Sequence, residues 1–273
     1  MNHLSHIVRS FNRFELKYLV TLSQAERLKS SLAAYLVPDE HSHHEGRYNL
    51  ASLYYDSPDL RCYWEKVDGL KYRRKLRIRC YETGEPLTDD TPVFVEIKQR
   101  VDRVTQKRRA VLRYADALRL CDGREIPAHT PVERPIIEEA HTFLWQYDMR
   151  PTSLVRYERQ AFIGVAYDIG LRVTFDTALT SQCDHLRLHE PPRGQPMLAA
   201  NWAVMEIKVN ERLPYWLTQM VAAHNLQLIR ISKYCRSIEV VREGLYPAAR
   251  AASRLQTVDF YPQEESSGHL QLQ

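Results

Sequence analysis

An acid and a base repeatedly occupy alternate positions of this sequence. The three pairs are Glu15 with Lys17, Glu96 with Lys98, and Glu206 with Lys208. A further segment places bases alone at alternate positions, namely Lys71, Arg73, Lys75, Arg77 and Arg79. Because successive side chains of a β-strand point to opposite faces, each set predicts a strand whose charged groups share one face.

Charged groups of both signs on one face suit a phosphate chain together with a divalent metal ion. A polyphosphate carries negative charge on every phosphate, and Arg and Lys side chains match its oxygens. A carboxylate at the same place can hold Mg²⁺ or Mn²⁺, which are hard cations that prefer oxygen ligands. Phosphoryl transfer depends mainly on positioning and charge neutralisation, and these residue types can supply both.

The elements that carry these residues are predicted to be antiparallel strands accompanied by helices. Six strands are expected at 13–18, 71–79, 93–98, 153–162, 171–176 and 204–209. Clean alternation of apolar and charged residues is typical of antiparallel sheets. Apolar stripes predict three helices, the first after a capping box formed by Ser23 and Glu26, the others after Pro135 and Pro214.

The alternation alone does not decide whether the charged face meets water or lines an interior. An outer, solvated face is the ordinary arrangement for a single strand. Here acids and bases are mixed on the same face, Arg and Lys predominate over small polar residues, and the helices offer apolar stripes that could cover the outside of a closed sheet. A β-dominated α+β protein, with a closed barrel whose charged interior is wrapped by helices, would account for all three features.

The composition is that of a globular protein in a reducing compartment. The chain has 273 residues, 44% of them hydrophobic and 26% charged. Its five cysteines are scattered and form no C-x-x-C pair, which argues against disulfides and zinc-thiolate sites. We expect no signal peptide and no transmembrane segment, and hence a cytoplasmic location, because no stretch approaches the roughly 20 apolar residues of a membrane span.

The charge distribution favours an anionic partner. The net charge is only +4, but residues 47–113 contain 16 Lys/Arg against 10 Asp/Glu. Neither a P-loop nor a Rossmann glycine motif is present, so the phosphate site is not of those kinds. Four tyrosines interleaved with bases could stack on single-stranded RNA, although we do not expect a nucleic acid partner; they are Tyr54, Tyr55, Tyr63 and Tyr72.

A series of short motifs in a fixed order also resembles a known family. They lie at 13–18, 53–59, 75–81, 94–98, 157–162, 171–176, 205–208 and 232–234. Together they resemble the VTC domain, the polyphosphate polymerase module of the vacuolar transporter chaperone complex, over about residues 11–242. That family belongs to the triphosphate tunnel metalloenzymes, which include the CYTH proteins. The resemblance implies an eight-stranded closed antiparallel barrel, a tunnel, with helices packed outside.

The resemblance also implies roles for individual residues. Catalytic, phosphate-binding bases would be Lys17, Arg77, Arg79, Lys98, Arg159, Arg172, Lys208 and Lys233. Further substrate-binding groups would be Lys75, Lys107, Arg156, Tyr157 and Ser232, with the two hydroxyl groups donating hydrogen bonds to the phosphate chain. The metal, Mn²⁺ or Mg²⁺, would be held by Glu206, with Glu15, Glu96 and Glu158 as helpers.

The implied activity is transfer of the γ-phosphoryl group of ATP to a growing polyphosphate chain in a domain spanning 11–245. We expect 1–10 to be flexible and 246–273 to be a mobile polar tail. Two alternatives stay open: a tunnel-type hydrolase of inorganic triphosphate, nucleoside triphosphates or RNA 5′-triphosphate, and a non-catalytic module that binds polyphosphate or inositol phosphates. The eukaryotic complex adds regulatory and transmembrane parts, so whether this chain has a membrane-protein partner also stays open.

Overall fold

The computed structural model describes residues 13–39, 46–102, 104–210 and 212–245. The predicted flexible segment 1–10 and the predicted mobile tail 246–273 lie outside these residues. None of the described helices is both long and apolar enough to cross a membrane.

Strands dominate the described part of the chain. They are β1 (Arg13–Thr21), β2 (Leu36–Pro38), β3 (Arg47–Asp56), β4 (Tyr72–Glu82), β5 (Pro92–Val101), β6 (Val104–Arg113), β7 (Arg150–Gly164), β8 (Arg172–Gln182), β9 (Gln195–Pro196), β10 (Trp202–Asn210) and β11 (Gln227–Leu228). The helices are α1 (Leu22–Leu32), α2 (Arg61–Val67), α3 (Tyr114–Cys121), α4 (Arg134–Gln146), α5 (Tyr215–Ala223) and α6 (Lys233–Leu245), with a short 3-10 turn at Ala166–Asp168.

The strands form one antiparallel sheet in the order β11-β1-β10-β8-β7-β3-β4-β5-β6, with β2 beside β7 and β9 beside β8. The predicted β-dominated α+β class is confirmed. The predicted closed eight-stranded barrel is wrong on two points, because the sheet has 11 strands and is not closed. Eight of the strands are long, and the three additional strands, β2, β9 and β11, have only two or three residues each.

β11 occupies part of the edge of β1 that would pair with β6 in a closed barrel. Tyr18 and Leu19 pair with β11, and the backbone N–H of Ile229 donates to the carbonyl of Lys17 at 2.8 Å. In the described residues β6 forms a ladder only with β5. The sheet nevertheless curls until Cα atoms of β1 and β6 come within 8 Å.

The convex face of the curled sheet carries the hydrophobic core beneath the helices. The inner turns of α1 and α5 pack Leu28, Leu32 and Leu217 against apolar residues of β1, β8 and β10. A second cluster places α3 and α4 over β4, β5 and β6, where Leu76 and Ile97 are fully buried. Burying a side chain of this size stabilises the fold by about 1.5–3 kcal/mol, which fixes the apolar face outward and the charged face inward.

The helix boundaries follow local signals, with one correction. The capping box of α1 is formed by Thr21 and Gln24, not by Ser23 and Glu26 as predicted. The Thr21 hydroxyl accepts from the Gln24 N–H at 3.1 Å, and the Gln24 side chain accepts from the Thr21 N–H at 2.9 Å. The predicted helix starts near Pro135 and Pro214 are confirmed, because α4 has Pro135 in its first turn and α5 follows Pro214.

Candidate functional site

The concave face of the sheet, called the lumen below, carries a cluster of ion pairs centred on Glu206. This carboxylate is 3% exposed and lies in the middle of β10, directly opposite Lys17 of β1. Its Oε1 is 3.1 Å from the Lys17 ammonium and 2.9 Å from that of Lys233. Its Oε2 is 3.0 Å from Lys208 and 3.4 Å from the Arg159 guanidinium. Four cations therefore converge on one buried carboxylate.

A second buried carboxylate, Asp176 of β8, lies next to Glu206. The Arg159 guanidinium donates to both of its oxygens, at 2.6 and 2.7 Å, from the opposite position of β7. Lys233 contacts Asp176 at 2.5 Å as well as Glu206, so its ammonium bridges the two carboxylates. Asp176 lies in the motif at 171–176 but was not among the predicted site residues.

The position of Lys233 depends on the start of α6. The Ser232 hydroxyl accepts from the N–H of Cys235 at 3.3 Å, as a helix-capping residue does. The same hydroxyl accepts from the Lys75 ammonium of β4 at 2.6 Å. This arrangement holds the first residue of α6 inside the lumen, where its side chain is 7% exposed.

The lumen is completed by charged side chains of β1, β4, β5 and β6. Glu15 of β1 is 3.4 Å from Lys17 and 2.8 Å from Lys98 of β5. Glu96 of β5 accepts from Arg77 at 2.8 Å and from Lys107 at 3.1 Å. Each carboxylate of the lumen is thus bound to cations from at least two strands or helices.

Two arginines of β4, Arg77 and Arg79, are each held by hydroxyl groups. Arg77 donates to the Tyr54 hydroxyl at 2.9 Å in addition to Glu96. Arg79 is 6% exposed and donates to the hydroxyls of Ser52, at 3.1 Å, and Tyr157, at 2.9 Å. A guanidinium fixed in this way presents its remaining N–H groups in a defined direction, which suits recognition of a phosphate.

Burial and charge together set the protonation of the central groups. Burial alone would raise the pKa of Glu206, but the surrounding cations, led by Lys17, hold it well below its usual value. Burial alone would also raise the pKa of Asp176, but the surrounding cations, led by Arg159, lower it below its usual value. Burial alone would lower the pKa of Lys17, but Glu15 and Glu206 raise it. The carboxylates are therefore ionised and Lys17 is protonated at neutral pH.

Two lysines and one tyrosine titrate much nearer neutrality. Burial lowers the pKa of Lys208 to about 8 despite the opposing charge of Glu206. Burial likewise lowers the pKa of Lys107 to about 8, against the effect of Glu96. Burial would raise the pKa of Tyr54, but the charge of Arg77 lowers it to about 8.

The comparisons with known proteins agree with this geometry. The family model of the VTC domain matches residues 12–242. This chain belongs to the VTC-domain family. The predicted recognition of the VTC domain is confirmed. No curated protein sequence matches the chain.

Solved structures of low sequence identity resemble this VTC domain. A candidate adenylyl cyclase from Hippeastrum, for which a dominant triphosphatase activity is described, is 12% identical over 84% of this chain and 95% of that chain, with a TM-score of 0.51. A candidate adenylate cyclase from Bacillus halodurans is 13% identical over 81% and 94% of the two chains, with a TM-score of 0.49. At this identity the Hippeastrum likeness shows the fold alone.

Most of the predicted site residues of the VTC domain meet in the lumen. The bases are Lys17, Lys75, Arg77, Arg79, Lys98, Lys107, Arg159, Lys208 and Lys233, and the acids are Glu15, Glu96 and Glu206. Tyr157 and Ser232 also lie there, although their hydroxyls accept hydrogen bonds from Arg79 and Lys75. Arg172 lies at one end, bound to Asp39 at 2.7 Å and to the Tyr48 hydroxyl at 2.8 Å.

Two predicted residues are placed outside this cluster. Arg156 donates to the carbonyls of Leu188 and Glu190, at 3.1 and 2.7 Å, and to the Gln182 side chain at 3.1 Å. Glu158 is 42% exposed and binds Arg47 at 3.1 Å. Both lie on the face of β7 opposite to that of Tyr157 and Arg159, which enter the lumen, because β7 alternates regularly along its pairing with β3 here.

The donor set of the lumen fits a hard divalent cation only if the substrate supplies most of the ligands. In the described residues no group of three or more His, Cys, Asp or Glu side chains could hold a metal by itself. Both oxygens of Glu206 are also bound to cations. Mg²⁺ is commonly held by one or two carboxylates together with phosphate oxygens and water, so Glu206 and Asp176 have suitable chemistry once phosphates occupy the bases.

Proposed function

We propose that this VTC domain is a metal-dependent phosphotransferase that moves the γ-phosphoryl group of ATP to a growing polyphosphate chain. The observation that carries the proposal is the lumen itself, in which the nine bases named above outnumber the four carboxylates Glu15, Glu96, Asp176 and Glu206. The excess positive charge of such a lumen is complementary to a chain of phosphates. We also propose a cytoplasmic location.

Substrate binding would exchange the partners of the lysines. In the structure Lys17, Lys208 and Lys233 all bind Glu206. Phosphate oxygens entering the lumen would take over these ammonium groups, since charge-assisted contacts to phosphate are strong. The carboxylate of Glu206 would then be free for Mn²⁺ or Mg²⁺, which would neutralise charge on the transferred group.

The remaining bases would position the phosphoryl groups. Arg77 and Arg79 are held by neighbouring side chains before the substrate arrives, so little ordering of these side chains would be needed on binding. Arg159 is held by both oxygens of Asp176 and can stabilise charge that develops near Glu206. Preorganised cations of this kind are the main protein contribution to phosphoryl transfer.

Cations at one end of the lumen favour transfer to a chain over simple hydrolysis. This end, called the basic end below, carries Arg73, which lies two residues from Lys75 on the same face of β4, and Lys66 and Arg230, whose charges act on Arg73 and on each other. Burial first, and then neighbouring cations such as Lys75 and Arg73, lower the pKa of Lys66. Burial and the charges of Arg100 and Arg230 lower that of Arg73. A triphosphate would be bound within the lumen, whereas a longer chain would also reach these cations.

A triphosphatase is the second candidate. The Hippeastrum structure of the same fold is described as having a dominant triphosphatase activity. The two reactions use the same bases and differ in whether water or a phosphate chain attacks the γ-phosphoryl group. A non-catalytic phosphate-binding module is the third possibility and would show binding without turnover.

Product analysis separates the three candidates. The purified protein is incubated with ATP and either Mn²⁺ or Mg²⁺, and the products are separated by gel electrophoresis and assayed for ADP and orthophosphate. The proposal predicts ADP together with long acid-labile chains. Orthophosphate without polymer would identify a hydrolase, and unchanged ATP would identify a binding module.

A further inference from the structure

Three aromatic rings lie together at the end of the lumen opposite the basic end. Tyr48 of β3 and Tyr81 of β4 have ring centroids 5.4 Å apart, and Tyr81 and Phe94 of β5 have centroids 5.6 Å apart. Tyr81 is 37% exposed, so the row is open to solvent and does not seal this end. We call this part of the lumen the aromatic end.

Two arginines accompany the rings. The guanidinium of Arg109, on β6, lies 4.6 Å from the centroid of the Phe94 ring. The guanidinium of Arg172 donates to the Tyr48 hydroxyl at 2.8 Å. Arginines and rings in such contact form mixed surfaces on which a further flat, polarisable group can stack.

The aromatic end is continuous with the bases that would bind phosphates. Phe94 lies opposite Arg79 in the sheet and two residues, about 7 Å, from Glu96 along β5. Arg172, which contacts Tyr48, lies opposite Lys208 of the central cluster. A ligand that placed a ring among the aromatic residues could therefore extend its phosphates directly onto Arg79 and Lys208.

The two ends of the lumen thus differ in chemistry. The basic end offers Lys66, Arg73 and Arg230, which suit phosphate oxygens. The aromatic end offers ring faces, which contribute little to binding an inorganic phosphate chain. A nucleotide bound along the lumen would therefore have a preferred orientation, with its base at the aromatic end and its phosphates towards the basic end.

We propose that the aromatic end is a subsite for the base of a nucleoside triphosphate, with Tyr81 as its main stacking surface. The inference rests on the proposed function and adds to it the place where the base of the nucleotide donor binds. Stacking on a ring face is tolerant of base identity, so the subsite accepts purines and pyrimidines alike. The phosphates of the bound nucleotide run from this end towards Glu206, and an acceptor chain approaches from the basic end.

The test compares binding of ATP with binding of inorganic triphosphate, using calorimetry with EDTA present to prevent metal-dependent turnover. The variants are Tyr81→Ala, which removes the ring, and Tyr81→Phe, which keeps it. The matched control is Tyr72→Ala, since Tyr72 is an exposed tyrosine of the same strand with the opposite side-chain direction. Thermal unfolding of each variant verifies that it is folded.

The proposal predicts that Tyr81→Ala weakens ATP binding about tenfold and leaves triphosphate binding within about twofold, while Tyr81→Phe and Tyr72→Ala leave both unchanged. An equal effect of Tyr81→Ala on the two ligands, or no effect on ATP, would overturn the base subsite and leave the proposed function intact. If the wild-type protein bound neither ligand, the proposed function itself would fail. A Tyr81→Ala chain that did not fold would be replaced by Arg109→Ala, for which the same selective loss is expected.

Discussion

Glu15 of β1 and Lys98 of β5 form an ion pair of 2.8 Å although their strands are not paired. The contact is made across the gap between β1 and β6, where the sheet fails to close. It requires the sheet to curl so far that its two margins face each other. The lumen is therefore held together by charged side chains at the place where a closed barrel would have backbone hydrogen bonds.

The loss of one carboxylate at the centre of the lumen should abolish turnover. We expect Glu206→Ala to lower metal-dependent turnover of ATP by at least about a hundredfold, because it removes the carboxylate proposed to hold the metal. Glu158→Ala is the matched control, since that carboxylate is 42% exposed and outside the cluster. Steady-state kinetics with Mn²⁺ and Mg²⁺ measure both.

The same variant separates metal binding from phosphate binding. Removing Glu206 leaves Lys17, Lys208 and Lys233 with one anion fewer to bind. Triphosphate binding measured with EDTA should then be as tight as in the wild-type protein or tighter. Weaker binding would mean that Glu206 acts by holding the fold of the lumen and not through a metal.

Asp176 should be important for stability as well as for the site. It is fully buried and binds Arg159 and Lys233, so Asp176→Asn leaves two buried cations short of a partner. We expect a loss of about 3–5 kcal/mol in the free energy of unfolding, measured by urea denaturation. Asp184→Asn, at an exposed position, should change it by less than about 0.5 kcal/mol. A loss below about 1 kcal/mol for Asp176→Asn would contradict the assignment.

Phosphate binding should weaken as the pH rises through about 8. Lys208 and Lys107 both have pKa values lowered to about 8, so their charge is present below that pH and lost above it. At pH 9 we expect the dissociation constant of inorganic triphosphate, measured by calorimetry with EDTA present, to rise by up to about tenfold in the wild-type protein. Lys208→Arg should show a smaller rise, because arginine stays charged. The substrate ionises identically for both proteins, so parallel pH profiles would refute the role of Lys208.

Substitution of Arg79 should weaken substrate binding, whereas substitution of Arg156 should lower stability, although both residues were predicted to bind substrate. Arg79→Lys should raise the KM for ATP about tenfold, because lysine cannot bind the hydroxyls of Ser52 and Tyr157 while presenting a fork to phosphate. Arg156→Lys should leave KM unchanged and lower the melting temperature, because Arg156 binds the carbonyls of Leu188 and Glu190. A raised KM in Arg156→Lys would restore its predicted role.

The sequence predicted the faces of the strands well where alternation is strict. Arg77, Glu96 and Glu206 each sit between apolar neighbours, and all three point into the lumen. The strand β3 was not predicted, because residues 50–56 are buried on both faces and show no period of two. Alternation thus located the charged surface of the lumen, but it did not locate the described strand β3.

The errors have physical causes. Arg156 and Glu158 alternate along β7 with Tyr157 and Arg159, which enter the lumen, so the two residues lie on the other face of the strand, and the roles that the resemblance implied for all four do not fit one face. The predicted closed barrel did not allow for β11, which pairs with part of the edge of β1 and has only two residues and no periodic signal. Asp176 lies on the same face of β8 as Arg172, so alternation placed it on the charged face. Only the structure shows its contacts with Arg159 and Lys233.

Transfer of a labelled phosphoryl group tests the central claim most directly. ATP radiolabelled at the γ-phosphate is incubated with the protein, a divalent metal and an unlabelled short polyphosphate, and the products are separated by size. The account predicts label in the lengthened polyphosphate for the wild-type protein and for Glu158→Ala, and none for Glu206→Ala. Label found only in orthophosphate, or transferred equally well by Glu206→Ala, would contradict it.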